Sequence, residues 1–465
     1  MHGIYGLIDI GISAIRAAQM ALMVTGDNIA NAENSKFCRR RVIFQEKPPL
    51  LSLPILIGRG SEVTNVKRAY SPFLAKQWQQ ELAGLGYHEV RKEALGRLET
   101  IFNEAEGEGL NRDLTAFWNA WEEVSSDPAS IVNRYNLINT AKTLAANFQR
   151  KSNDLKELRE DMNTEVKNVV EQINTIANQI AYLNKKIKSI EIKGVDANNF
   201  RDERDELVRE LSKLADVTAF EDNGKVTVLV GGVAVVQEES AYTLSVETNS
   251  EGFYQVVWYG EGGLKVDITS RLEGGELGSF LEMRDTIIPQ YQNDLDRLAY
   301  NLVTEINTQH QLGYGLDDST GNNFFEPLTG IDDAASLIQL DSTIETFPEK
   351  IAASSAAGQQ GNNENALAII ALKETAITGL SDVTFNDFYL SLVGEVGSAS
   401  QESQNNFEYQ QLVLKEIEAS VEAVSGVSLD EEAANLVRFQ QMYTASARLI
   451  SIADDMMKTL INLGT

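Results

Sequence analysis

Apolar and small side chains recur in steps of four and three along the first turns of the chain: Ile4, Ile8, Gly11, Ile15, Ala18, Leu22, Thr25 and Ile29. That spacing predicts an α-helix carrying a coiled-coil seam, with two small residues and a threonine built into it. At the far end Leu429, Leu436, Tyr443, Ile450 and Met457 repeat every seven residues, while Phe439, Ser446, Ala453 and Leu460 fill the partner line. Two lone seams at opposite ends of one chain most simply zip together, joining first residues to last.

Between them the pattern predicts more helix. Residues 71–104 and 111–128 are amphipathic and end in loop signals. Met162, Val166, Val169, Ile173, Ile176, Ile180, Leu183, Ile187 and Ile190 form an uninterrupted apolar seam. At ~1.5 Å per residue this rod is roughly 43 Å long. Residues 198–214 are expected to run back antiparallel after a turn containing Gly194 and Asp196. The period changes at Val217: Val226, Val228 and Val230 alternate, and Asn223-Gly224 is a hairpin signal. Strands are also expected at 242–248 and 253–260. Helix returns over 277–310, a Gly-, Asn- and Asp-rich stretch with a few expected strands follows from 313 to 365, and helix resumes near Asn386. Phe407, Leu414, Ile417, Val421 and Val424 then share one face.

The fold class expected is mainly α with a smaller β insertion. A long antiparallel helical, coiled-coil shaft is built from both chain termini, with inserted mixed β domains. The division expected is a terminal axial helical region of residues 1–65 plus 405–465, which carries assembly and export. A helical shaft follows, of 66–216, 273–312 and 385–404, with a β insertion at 217–272 and a loop-rich mixed insertion at 313–384.

Length and composition narrow the classes. The chain has 465 residues, enough for two to four domains. Lys+Arg of 40 against Asp+Glu of 68 gives a formal charge of −28. That balance repels phosphate backbones and anionic lipid, so neither nucleic acid nor membrane is expected as a partner. Cys38 is the single cysteine, so no intrachain disulfide forms. The first residues lack a basic segment followed by a long apolar one, so no cleavable signal is expected. Nor is any run expected to approach the ~20 apolar residues of a membrane span.

Candidate chemistry is sparse. His2, His88 and His310 are far apart and lack Cys/His spacing, so no metal site is expected. Cys38 stands near arginines that would lower a thiol pKa, but an ordinary cysteine is the better reading. Residues 260–263 and 313–321 lack the glycine pattern of a dinucleotide loop, and "DDSTGNN" lacks the bidentate glutamate of a calcium loop. Asp202 and Asp205 share a helix face as paired carboxylates would, although a solvated first turn, paired to Arg204 and Arg209, weighs more. Trp118 and Trp121, at helical spacing, read as core before they read as a carbohydrate platform. No catalytic residue, cofactor site or metal site is assigned, and an enzyme is not expected.

Two stretches at the ends carry a resemblance. "NIANAENSKFCRR" (28–40) resembles the N-terminal signature of the bacterial flagellar axial proteins, with Asn28, Ile29, Ala30, Asn31, Ala32 and Arg39 matching and Phe37 in the place of the usual tyrosine. Asn34, Ser35 and Lys36 stand where that signature has Thr-Pro-Gly. The C-terminal "LDEE" and "NLVRFQQMY", with Arg438 and Gln440, match the family's other signature. In the middle, "NNFRDERDELVRELSKL", "GGELGSFLEMRD" and "INTQHQLGYGLDDSTGNNFF" are similar to the hook-associated protein 1 family of the hook–filament junction.

The resemblance implies a non-enzymatic structural subunit, exported by the flagellar type III route and placed outside the cell in the flagellum. It implies self-assembly, with terminal helices innermost and interfaces built on the two seams. The implied partners are further copies of the chain, the hook protein on one side, and a second hook-associated protein, and through it the filament, on the other. A cytosolic export chaperone is implied as well. Lys36, Arg39, Arg40 and Arg41 would meet acids such as those of 429–432 on an adjoining subunit, or form a solvated basic loop. Three rival readings remain: another axial subunit of hook, rod or junction; a secreted acidic enzyme acting on glycan through Trp118, Trp121, Asp202 and Asp205; and a free coiled-coil adaptor or adhesin.

Overall fold

The computed structural model describes residues 2–52, 55–103, 109–222 and 224–463. It opens with α1 (His2–Ala30), followed by four strands: β1 (Arg40–Glu46), β2 (Leu50–Ser52), β3 (Ile55–Ile57) and β4 (Ser61–Arg68). Strand β1 pairs antiparallel with β4, and β2 with β3. Four helices come next: α2 (Pro72–Phe102), α3 (Leu110–Ser126), α4 (Ile131–Glu191) and α5 (Asn198–Leu214). Their starts are written locally. Ser71 accepts from the Leu74 N–H ahead of Pro72, and Ser130 accepts from the Asn133 N–H.

Two small antiparallel sheets follow. One is β5 (Val217–Asp222), β6 (Lys225–Val230), β7 (Val233–Gln237) and β8 (Ser240–Ala241), in that order. The other places β10 (Tyr254–Tyr259) between β9 (Thr243–Thr248) and β11 (Lys265–Asp267). Val226, Val228 and Val230 face the core alternately, as expected. Asn223 of the expected β5–β6 turn lies outside the described residues; Gly224 has φ +80°, the left-handed region such a turn requires. Helix α6 (Gly275–Glu282) continues through a π turn at Met283–Ile287 into α7 (Ile288–His310). Three short helices, α8 (Ala334–Leu337), α9 (Ser342–Thr346) and α10 (Glu364–Ala371), punctuate the next stretch. The chain closes with α11 (Phe385–Ser425), started by a Thr384 cap, and α12 (Leu429–Leu463).

Two cores lie along α4. The first takes the end of α2, α3, the first half of α4, α7 and the start of α11 around Phe117, Trp118, Trp121, Phe148, Phe324 and Phe325. Trp118 and Trp121 are 0% exposed, which removes the carbohydrate-platform reading. The second core sets Val166, Val170, Ile173 and Ile180 of α4 against α5, α6 and the sheet valines. In the first core His310 is sealed between two backbone groups: Nδ1 lies 2.7 Å from the Asn322 carbonyl, and Nε2 accepts from the Ala352 N–H at 2.9 Å. Burial lowers its pKa to about 4.

Three expectations are corrected. The rod is one helix of 61 residues, ~92 Å at 1.5 Å per residue, because its polar first half changes partners rather than ending. Residues 40–68, placed within the terminal helical region, form strands, and Leu53 and Pro54 of their apolar run lie outside the described residues. The expected strands of 313–365 are isolated bridges, such as Tyr314 with Thr320 and with Ser354. One further point concerns α1. Residues 3–30 are long and apolar enough to cross a membrane by length and hydropathy, contrary to the expectation from the sequence. This helix carries Asp9, paired with Arg59 at 2.9 Å, and lays one face on α12.

Candidate functional site

The two ends of the chain meet. Asn28 of α1 reaches Glu432 of α12, and Gly11 faces Ile450 and Ser446, so the two helices run antiparallel. The expected seams take part unequally. On α1 the line Ile4, Gly11, Ala18 and Thr25 is buried, whereas Ile8, Ile15, Leu22 and Ile29 are half-buried at its margin. On α12 the line Glu432, Phe439, Ser446 and Ala453 is buried. Leu436, Ile450 and Met457 are half-buried, while Leu429, Tyr443 and Leu460 are exposed by 53%, 38% and 50%. Gly11, Ala18, Thr25, Ser446 and Ala453 are the small members of this contact and Ile4, Glu432 and Phe439 its larger ones, while the other large seam residues border it or face solvent.

The reason is distance. A Cβ added at Gly11 would lie 2.6 Å from Ile450 Cγ1. Small residues at seven-residue intervals let the two backbones approach; large ones there would hold them apart. Sequence periodicity marked both lines but could not say which one this helix pair would use.

The signature residues form a lock across the pair. Asn28 Nδ2 donates to the Arg40 carbonyl at 3.0 Å and to Glu432 Oε2 at 3.1 Å, and its Oδ1 accepts from the Arg40 N–H at 3.0 Å. Arg39 binds Glu431 and Glu432, each at 2.6 Å. Its backbone N–H donates to the Ser425 carbonyl at 2.8 Å. Burial opposes the Arg39 charge, but hydrogen bonds to Glu431 and Glu432 outweigh it and raise its pKa. Glu431 and Glu432 therefore meet Arg39 within one chain.

Asn31 ends the helix by bonding the Asp27 carbonyl at 2.9 Å. The missing Thr-Pro-Gly is replaced by an Asx turn: Asn34 Oδ1 accepts from the Lys36 N–H at 3.1 Å, and its carbonyl accepts from the Phe37 N–H at 2.9 Å. Phe37 carries the Arg40 guanidinium 4.6 Å above its ring. Arg438 lies over Phe439 at 4.8 Å, and Gln440 is exposed on the open side of α12.

A second charged knot ties these ends to the body. Arg68 binds Asp202 and Asp205 of α5, each at 2.8 Å, and Arg40 binds Asp27 at 2.6 Å and lies 3.7 Å from Asp202. Asn198 donates to the Val66 carbonyl at 2.6 Å. Asp202 is buried and Asp205 half-buried, both on Arg68, so these two acids are neither a solvated first turn nor a free carboxylate pair. Burial, with the Asp202 charge beside it, pushes the Cys38 thiol up to about 12, which makes it an unreactive cysteine.

Comparison with known proteins covers both the middle and the end of the chain. Residues 95–325 match the model of the flagellar hook-associated protein FlgK helical domain, and 421–463 match that of the flagellar basal body rod FlgEFG protein C-terminal region. Flagellar hook-associated protein 1 of Bacillus subtilis is 26% identical over 97% of this chain and 96% of that protein. Its namesakes in Salmonella typhimurium and Escherichia coli are each 25% identical over 98% of this chain and 99% of theirs. The flagellar hook junction protein FlgK of Burkholderia pseudomallei has a similar fold, with a TM-score of 0.68, 16% identity, and coverage of 75% of this chain and all of that one.

Proposed function

Since the chain belongs to the flagellar hook-associated protein FlgK family, we propose that its joined ends are the surface by which it assembles. The protein is a structural subunit of the bacterial flagellum, self-assembling where hook meets filament and exported by the flagellar type III route. The observation that carries this is the near full-length similarity to hook-associated protein 1 of three bacteria, with the axial C-terminal region included.

The finer reading assigns partners. Copies of the chain lie beside one another, hook protein lies on one side, and a second hook-associated protein, with the filament beyond it, lies on the other. A cytosolic chaperone holds α12 before export, and no catalytic step is involved. Leu429, Tyr443, Leu460 and the half-buried Ile8, Ile15 and Leu22 are the side chains that neighbouring subunits cover, since the pair leaves them open. Residues 1–65 with 405–465 form the axial part, 66–216 with 273–312 and 385–404 the shaft, and 217–272 and 313–384 the insertions.

Electron microscopy of cells lacking the gene, with flagellin measured in the medium, tests this reading. Bare hooks and flagellin lost to the medium are expected. Missing hooks would move the subunit to hook or rod, and intact filaments would refute the assignment.

A further inference from the structure

The β1–β4 hairpin carries two cationic cross-strand pairs on opposite faces: Arg40 stands across from Arg68, and Arg41 across from Lys67. Like charges directly opposite, with Cβ atoms ~5 Å apart, destabilise a ladder unless counter-charge is brought in. The inner pair receives it. Arg40 and Arg68 meet Asp27, Asp202 and Asp205. The outer pair is built the same way, yet Arg41 and Lys67 are exposed and have no ion-pair partner among the described residues. Ile43, two residues along on the same face, is 41% exposed.

The chain also carries a complement to that face. A cleft of about 570 Å³ opens between the 31–38 turn, α2, α5 and the end of α11. Leu74, Trp78 and Val421 give it an apolar lining, and its carboxylates outnumber its cations. At its edge Glu418 and Glu422 are exposed and have no cation within ion-pair distance among the described residues. One helical turn separates them, which sets their Cβ atoms ~5–6 Å apart, close to the spacing of the two cations.

We propose that the outer face of the hairpin docks on this cleft in a second copy of the chain, with Arg41 and Lys67 against Glu418 and Glu422 and Ile43 toward the apolar lining. The inference rests on the reading of the chain as a self-assembling flagellar subunit. The contact joins two different patches, so it repeats head to tail and closes a ring or continues as a helix. The inner pair finds its acids by folding, and the outer pair finds them by assembly.

The test complements cells lacking the gene with four versions: wild type, R41E/K67E, E418K/E422K, and all four changes together. Filaments per cell and flagellin in the medium are counted. Juxtaposed like charges should cut filaments at least about tenfold in each two-site variant, with flagellin rising in the medium, and the four-site variant should return to within about threefold of wild type. Purified R41E/K67E should melt as wild type does, because both side chains are exposed. Wild type failing to restore filaments would overturn the flagellar reading itself. R41E/K67E restoring them fully would overturn the docking alone. Two-site defects that the four-site variant does not repair would show that the partner is not a second copy.

Discussion

The aromatic core and the joined ends are both helical contacts, and they are built in opposite ways. In the core, large rings are sealed from every side: Phe117 and Trp118 lie 5.2 Å apart by ring centroid, and Trp121 and Phe324 5.3 Å. At the ends, glycine, alanine, serine and threonine make most of the contact beside Ile4 and Phe439, and Tyr5, Met23, Val437, Ile452 and Ile461 stay exposed. A core that closes on itself needs no partner. An end that pairs mainly through small residues leaves large ones outside, where the proposed assembly would cover them. Under the proposed reading, stability and association are carried by different parts of the chain.

The hardest way to break this division is inside the core. Trp121→Ala should cost about 3–5 kcal/mol, read as a lower urea midpoint of the purified chain. Acid attacks the same core. The His310 pKa is about 4 when folded, against an ordinary 6.5, so the unfolded chain takes up a proton that the folded one refuses. Stability is complete above about pH 6.5, about 2 kcal/mol is lost by pH 5 and about 3 by pH 4. Urea midpoints of wild type and His310→Gln at pH 7 and 5 should show the difference narrowing as pH falls.

At the ends, Glu432→Gln removes a buried charge from Arg39 and should loosen α1 and α12 by about 1–3 kcal/mol. The readout is faster amide exchange across residues 4–29, with the core protected as before. The smallest effect on folding sharpens the comparison most. Tyr443→Ser should shift the melting of the purified chain by less than about 0.5 kcal/mol and yet reduce incorporation into flagella. An equal loss of both would mean that the open line of α12 serves the fold rather than assembly.

Much of the fold was legible because its periods are clean. Helix α5 spans the residues its pattern marked, and the change of period at Val217 located the sheets. The hairpin at 40–68 was missed for a local reason. A bulge at Thr64 takes that residue out of register, so Val63 and Val66 stand three apart and the period of two is lost. The first half of α4 was missed because its buried positions serve several neighbours instead of one seam. At the joined ends both heptad lines were visible, and so were Asn28, Arg39 and the acids of 429–432. What the sequence could not supply was that Arg39 and Glu432, 393 residues apart, meet within a single molecule.

That separation sets an order in time. Asn28 is made early and Glu432 404 residues later, about 20–80 s at 5–20 residues per second. No shortened chain can close the lock, however well its body has folded. The joined-end surface proposed for assembly is thus completed last, and a chain with paired ends has been made through to α12.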